Sequence, residues 1–223
     1  MIMKNPAQER HYELRWPVAL AILVVIGLLA VLPGQIRLFP IWVVYIGGGT
    51  VLVSIAAVGL TAGKKPWLRV EHTVMLIFVV VTEGSTLANL VKVIQMMVDR
   101  SAQLSGTQLL SSSIAIWVVN LVTFSLLYWQ VDRGGPEARV NHTSPRPDWL
   151  FPQEGAPSGD VSPGWHPKFV DYLYLGYSTA TAFSTTEVMP LTPRAKMLMM
   201  LESAISLTTI VVTASRAINI LGS

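Results

Sequence analysis

Apolar residues run with few interruptions over 17–32, 38–61, 70–98 and 108–131, and a more polar run follows over 194–221. These have the length of bilayer-crossing helices, which take roughly 17–25 residues. The breaks carry helix-stopping signals: Pro33-Gly34 ends the first run, and Lys64-Lys65-Pro66-Trp67-Leu68-Arg69 reads as a basic loop before the third. Gly47-Gly48-Gly49 in the second run would let a neighbouring helix approach closely. The pattern changes over 132–168, where seven prolines, several glycines and charges of both signs replace the apolar residues. That segment is predicted to be a long aqueous linker, neither a regular helix nor a central strand, and too poor in apolar groups to form a core of its own. Trp149, Phe151 and Trp165 could drape it over the rest. A last apolar stretch, 169–183, is helical in pattern but too short to cross a membrane.

The expectation is therefore an all-α polytopic membrane protein with about five transmembrane helices and one shorter helix. A polar segment, 1–16, precedes a three-helix region, 17–107. The second region, 108–223, holds a helix, the linker 132–168, the short helix 169–183, a loop 184–193 and the final helix 194–221.

Composition agrees, with 52% hydrophobic and only 13% charged residues, about half the charge of a soluble domain. The net charge of +3 and the pI near 9.3 come from Lys and Arg placed beside the spans. They read as topology signals and contacts to anionic lipid, not as a nucleic-acid surface. The absence of cysteine excludes disulfides and thiolate chemistry. His11, His72, His142 and His166 are scattered and make no zinc pattern. No phosphate loop, dinucleotide fingerprint or nucleophile–histidine pairing occurs, so neither a cofactor nor an enzymatic activity is expected. The run 17–32 lacks a small-residue cleavage site and reads as a retained start-transfer helix.

The stretch 169–196 resembles the pore segment of the potassium-channel-like family. There a short pore helix with a Thr-rich end runs into Thr-Val-Gly-Tyr-Gly-Asp, then a Pro-x-Thr-Pro turn and the inner helix. Without a gap, Asp171 and Tyr174 match the start of the pore helix, and Thr179 and Thr181 its end. Ala182-Phe183-Ser184-Thr185-Thr186-Glu187 fall on the filter, and Pro190, Thr192 and Pro193 on the exit turn. The resemblance implies that 169–183 is a re-entrant helix, that Thr181 to Glu187 line a pore, and that four chains assemble around it with monovalent cations as the permeant species. Ser184 and Thr186 replace filter glycines whose backbone angles cost other residues about 1 kcal/mol or more. A filter lined by the hydroxyls of Ser184, Thr185 and Thr186, without the usual potassium selectivity, is expected instead. Glu187 would form a ring of charge at the mouth, or else pair with Lys196 or Arg194.

Ionisable groups inside spans are costly and either functional or paired. Glu83 and Asn89 lie in the third run, and Glu202 and Arg216 in the last. Glu202 and Arg216 in the inner helix add to the family resemblance. Glu83 and Glu202 could join a proton or cation path, or simply accept hydrogen bonds from Ser and Thr neighbours. Ser203, Ser206, Thr209, Thr213 and Arg216 recur at three- and four-residue steps on one helix face. That face suits a water-filled lumen or hydrogen-bonded helix packing.

The pore reading requires the short helix to enter from outside. Lys4, Arg10, Arg15, Lys64, Lys65, Arg69, Arg133, Arg139, Arg146 and Lys168, however, gather on that same side, which the positive-inside rule assigns to the cytoplasm. Nearly the whole chain also resembles a bacterial family of small multi-pass membrane proteins of unknown function. The motifs are Leu127-Tyr128-Trp129-Gln130-Val131-Asp132-Arg133-Gly134-Gly135, Phe151-Pro152 and Asp171-Tyr172-Leu173-Tyr174. This second resemblance implies a multi-pass protein of the bacterial inner membrane and supplies no activity. The leading expectation is a tetrameric cation-permeable protein with a degenerate filter. The alternative is a non-conducting scaffold or partner-binding protein on a pore-derived fold.

Overall fold

A computed structural model describes residues 13–61, 63–98, 105–141, 146–157, 159–181 and 187–221. Among them the chain forms α1 (Trp16–Val31), α2 (Ile41–Leu60), α3 (Lys65–Val98), α4 (Gly106–Val131), α5 (Pro136–Val140), α6 (Phe169–Thr181) and α7 (Pro193–Leu221). The one sheet pairs β1 (Trp149–Leu150) antiparallel with β2 (Met189–Pro190). Four helices, α2, α3, α4 and α7, are long and apolar enough to cross a membrane, and α1 is a shorter apolar helix of 16 residues.

Two sequence expectations need correction. The basic stretch read as a loop is the first turns of α3, which starts at Lys65. Pro66 is tolerated there because first-turn N–H groups have no helical partner to lose. The segment 132–168 does contain a regular helix, α5, again with a proline at its first position. A left-handed turn precedes it: Arg133, Gly134 and Gly135 have φ of 55°, 77° and 99°. At Gly135 only glycine adopts such angles cheaply. The turn folds the chain back under the end of α4.

The core is built around α4. Of its apolar window 67% is buried, against 22% for α7, and α4 packs against α1, α3, α6 and α7. Small residues such as Ser112, Ser113, Ala115 and Ser125 are buried along it and let these neighbours approach closely. Its start is fixed by a capping box between Ser105 and Gln108, which satisfies two otherwise orphaned backbone donors. Gly48 of α2 faces Ile26 of α1, whose side chain an added Cβ would displace.

The starts of α1, α3, α6 and α7 and the end of α4 gather at one end of the bundle, called here the linker end. Residues 132–168 cover it. Trp149 packs at a tilt against Tyr128 with 4.9 Å between ring centroids, and Phe151 sits edge-on to Tyr172 at 5.3 Å. Trp149 and Phe151 are buried in the main core, so the apolar groups this segment lacks come from the helices beneath.

Candidate functional site

The 13 residues of α6 reach only about 20 Å at 1.5 Å per residue. α6 is seated against α4 and α7. Its buried face is Phe169, Tyr172, Leu175, Gly176, Ser178, Thr179 and Ala180. Gly176 is required for that seat: an added Cβ would collide with the Ser125 hydroxyl and come within 3.2 Å of the Leu121 carbonyl. Ser203 of α7 donates to the Thr179 carbonyl at 3.2 Å. Thr181 returns its hydroxyl to the carbonyls of Tyr177 and Ser178. After α6 the chain comes back to the linker end. There Met189–Pro190 pairs with β1, the Leu191 N–H reaches the Asp148 carbonyl at 2.8 Å, and the Thr192 hydroxyl reaches the Asp148 carboxylate at 2.5 Å.

Beneath α6 lies a polar cluster shared by α3, α4 and α7. Glu202 is fully buried, and its Oε2 accepts the Tyr128 hydroxyl at 2.5 Å. Its other oxygen has no partner. Asn120 donates to the Ser206 hydroxyl at 2.9 Å and to the Glu202 carbonyl at 3.4 Å. Glu83 has a partly exposed stem on α3, yet both carboxylate oxygens are buried and unpartnered. They face the Thr123 hydroxyl without closing a hydrogen bond to it, within electrostatic reach of Tyr128 and Glu202. Among the described residues, no Lys or Arg forms an ion pair with either carboxylate.

The buried carboxylates of the linker end, Glu13, Glu71, Asp132 and Asp148, are each engaged. Glu13 accepts the Phe169 N–H at 2.9 Å and the Trp129 indole at 3.0 Å, with Arg139 3.7 Å away. Arg15 pairs with Glu71 at 2.5 Å. Arg139 donates to the carbonyls of Trp129 and Asp132 at 2.7 and 3.0 Å and lies 4.9 Å over the Tyr172 ring. Asp132 accepts the Tyr172 hydroxyl at 2.5 Å and the Asp148 N–H at 2.8 Å. Burial, reinforced by Asp132, holds the Tyr172 phenol well above its ordinary pKa range, against the opposing pull of Arg139. Arg194 pairs with Asp148, and Arg133 with Glu154. This layer ties the ends of α1, α3, α4, α6 and α7 into one unit.

The site residues anticipated from sequence fall into distinct places. Ala182, Phe183, Ser184, Thr185, Thr186 and the Arg216 side chain lie outside the described residues. Glu187 is exposed and makes no ion pair among the described residues, since Arg194 is committed to Asp148. Glu202, Ser206 and Thr209 are buried against α4, and the hydroxyls of Thr209 and Thr213 bond to carbonyls of their own helix. Asn89 belongs to a separate junction: its side-chain oxygen accepts the Leu38 N–H at 2.9 Å and anchors the α1–α2 connection. Sequence reasoning missed Glu13, Glu71 and Asp148, and gave Asp132 and Tyr172, present in its motifs, no role. The signal available was that acids gather at the same end as the basic residues that had been counted only for topology. No family model, curated protein or solved structure matches this chain.

Proposed function

We propose that this is a channel-like membrane protein whose second half is a pore module, assembled as a homotetramer and permeable to monovalent cations. One arrangement carries the reading: α6 is held between α4 and α7, and the chain after it returns to the end from which α6 started. In this reading α6 is a re-entrant helix whose far end delivers Thr181 toward the membrane interior; the filter-like positions 182–186 lie outside the described residues. Non-helical backbone at that depth needs protein or water around it, which four copies meeting on an axis would supply. The outer face of α7 supports such packing. Met197, Ala204, Val211 and Ile218 stand exposed at seven-residue steps, flanked by Met200 and Leu207, the repeat of helices that pack along their length.

The test is cation flux in liposomes holding the purified protein. Potassium and sodium flux above that of empty liposomes, reduced by Glu187→Gln, is expected. Flux indistinguishable from empty liposomes would overturn the channel reading. A second reading, a non-conducting scaffold on the same fold, has one observation in its favour: the polar face Glu202, Ser206 and Thr209 turns into α4 and not outward.

A further inference from the structure

A pocket of about 500 Å³ opens at the linker end, walled on one side by the first turns of α3 and on the other by the end of α4 and the start of α5. Its depth in the membrane follows from helix length. α3 has 34 residues, about 51 Å at 1.5 Å per residue, against roughly 30 Å of hydrocarbon, so its ends project into the headgroup layers. The exposed rings of Trp16 and Trp67 near the pocket suit that level.

The lining is divided by charge. On α3, Lys65 and Arg69 are one turn apart on the same face, both exposed, and neither forms an ion pair among the described residues. Arg15 and Glu71 also line the pocket but neutralise each other at 2.5 Å. The opposite wall offers acceptors. Glu137 makes no ion pair among the described residues. Gln130, only 2% exposed, binds the His72 ring at 2.8 Å through its amide nitrogen and leaves its oxygen unpartnered. A simple anion would meet Glu137 unfavourably, and a simple cation would meet Lys65 and Arg69. A ligand with both charges answers both walls.

We propose that this pocket binds a zwitterionic phosphate ester of the phosphoethanolamine type. Its phosphate lies between Lys65 and Arg69, and its ammonium donates to Glu137 and the Gln130 side-chain oxygen. Guanidinium and ammonium groups both suit phosphate, Arg by a paired fork and Lys as a point charge. The headgroup of a phosphatidylethanolamine and a soluble ester share this chemistry. The proposal stands apart from the pore reading, because α6, α7 and the filter segment take no part in it.

The test uses the full-length protein in delipidated micelles, titrated by native mass spectrometry with phosphatidylethanolamine, phosphatidylglycerol and soluble phosphoethanolamine. Phosphatidylethanolamine is expected to bind about tenfold more tightly than phosphatidylglycerol, a difference of about 1.4 kcal/mol. Lys65→Ala/Arg69→Ala should weaken it by tenfold or more on the same scale. Because both residues are exposed, that variant should keep the wild-type melting temperature. Glu137→Gln should lower affinity for phosphatidylethanolamine and raise it for phosphatidylglycerol, whose anion then no longer meets a carboxylate. If soluble phosphoethanolamine binds as tightly as the lipid, the site stands and its ligand is the soluble ester. Equal or tighter binding of phosphatidylglycerol, or unchanged binding by the double variant, would overturn the proposal.

Discussion

Carboxylates at the linker end and carboxylates beneath α6 are the same chemical group in opposite circumstances. Glu13, Glu71, Asp132 and Asp148 are buried, yet each has an Arg, an N–H or a hydroxyl directed at it. Glu83 has no partner on either oxygen, and Glu202 has one on a single oxygen. A buried charge is tolerated when paired and hydrogen-bonded and costs several kcal/mol when it is not. The first set therefore reads as architecture, fastening five helix ends together. The second set holds no such structural bargain, and unsatisfied ionisable groups within membrane spans are where function concentrates.

The largest effect should come from breaking the architectural set at its hub. Arg139→Leu removes the cation 3.7 Å from the buried Glu13 carboxylate and leaves the carbonyls of Trp129 and Asp132 without their guanidinium donor. A loss of about 3–5 kcal/mol is expected for one partner removed from a buried pair, read as a lower denaturation midpoint in lipid nanodiscs. Next is the seat of α6. Gly176→Val should cost about 1–3 kcal/mol through overpacking. Ser125→Ala should recover part of that, because the two positions touch and so should not behave additively. At Glu83 the comparison predicts the opposite sign. Glu83→Leu removes an unpartnered buried carboxyl and should raise the midpoint by about 1 kcal/mol, since deleting an unsatisfied polar group is neutral or stabilising. A clear loss of stability there would show that the carboxylate is satisfied after all and dissolve the contrast. The smallest effect belongs to exposed Glu187. Glu187→Gln should stay within about 0.5 kcal/mol of wild type while still altering flux.

Much of the fold was legible because membrane helices announce themselves through length and apolarity. Four long apolar helices and the short α6 follow from hydrophobic runs and their Pro and Gly boundaries, whereas the first run, counted among five spans, forms a helix of only 16 residues. The start of α3 differs from the sequence expectation because Lys and Pro look like a loop, whereas they form the helix's first turn. The polar face of α7 was visible at three- and four-residue steps, but periodicity does not say what a face meets. Here it meets α4, through Asn120 and Tyr128. The ionic layer was hidden for a different reason. Its pairs, Glu13 with Arg139, Arg15 with Glu71, and Asp148 with Arg194, join residues 46 or more positions apart except within the linker's own turn. No local pattern encodes such contacts, and charges counted for topology conceal that they are already paired.

The account's central claim is that α6 and α7 meet their counterparts around a shared axis. Imaging of the purified protein in lipid nanodiscs tests this most directly. The account predicts four chains with α6 and α7 of each nearest the axis and Glu187 at its mouth. A monomer, or an assembly with the exposed stripe of α7 turned to lipid, would contradict it.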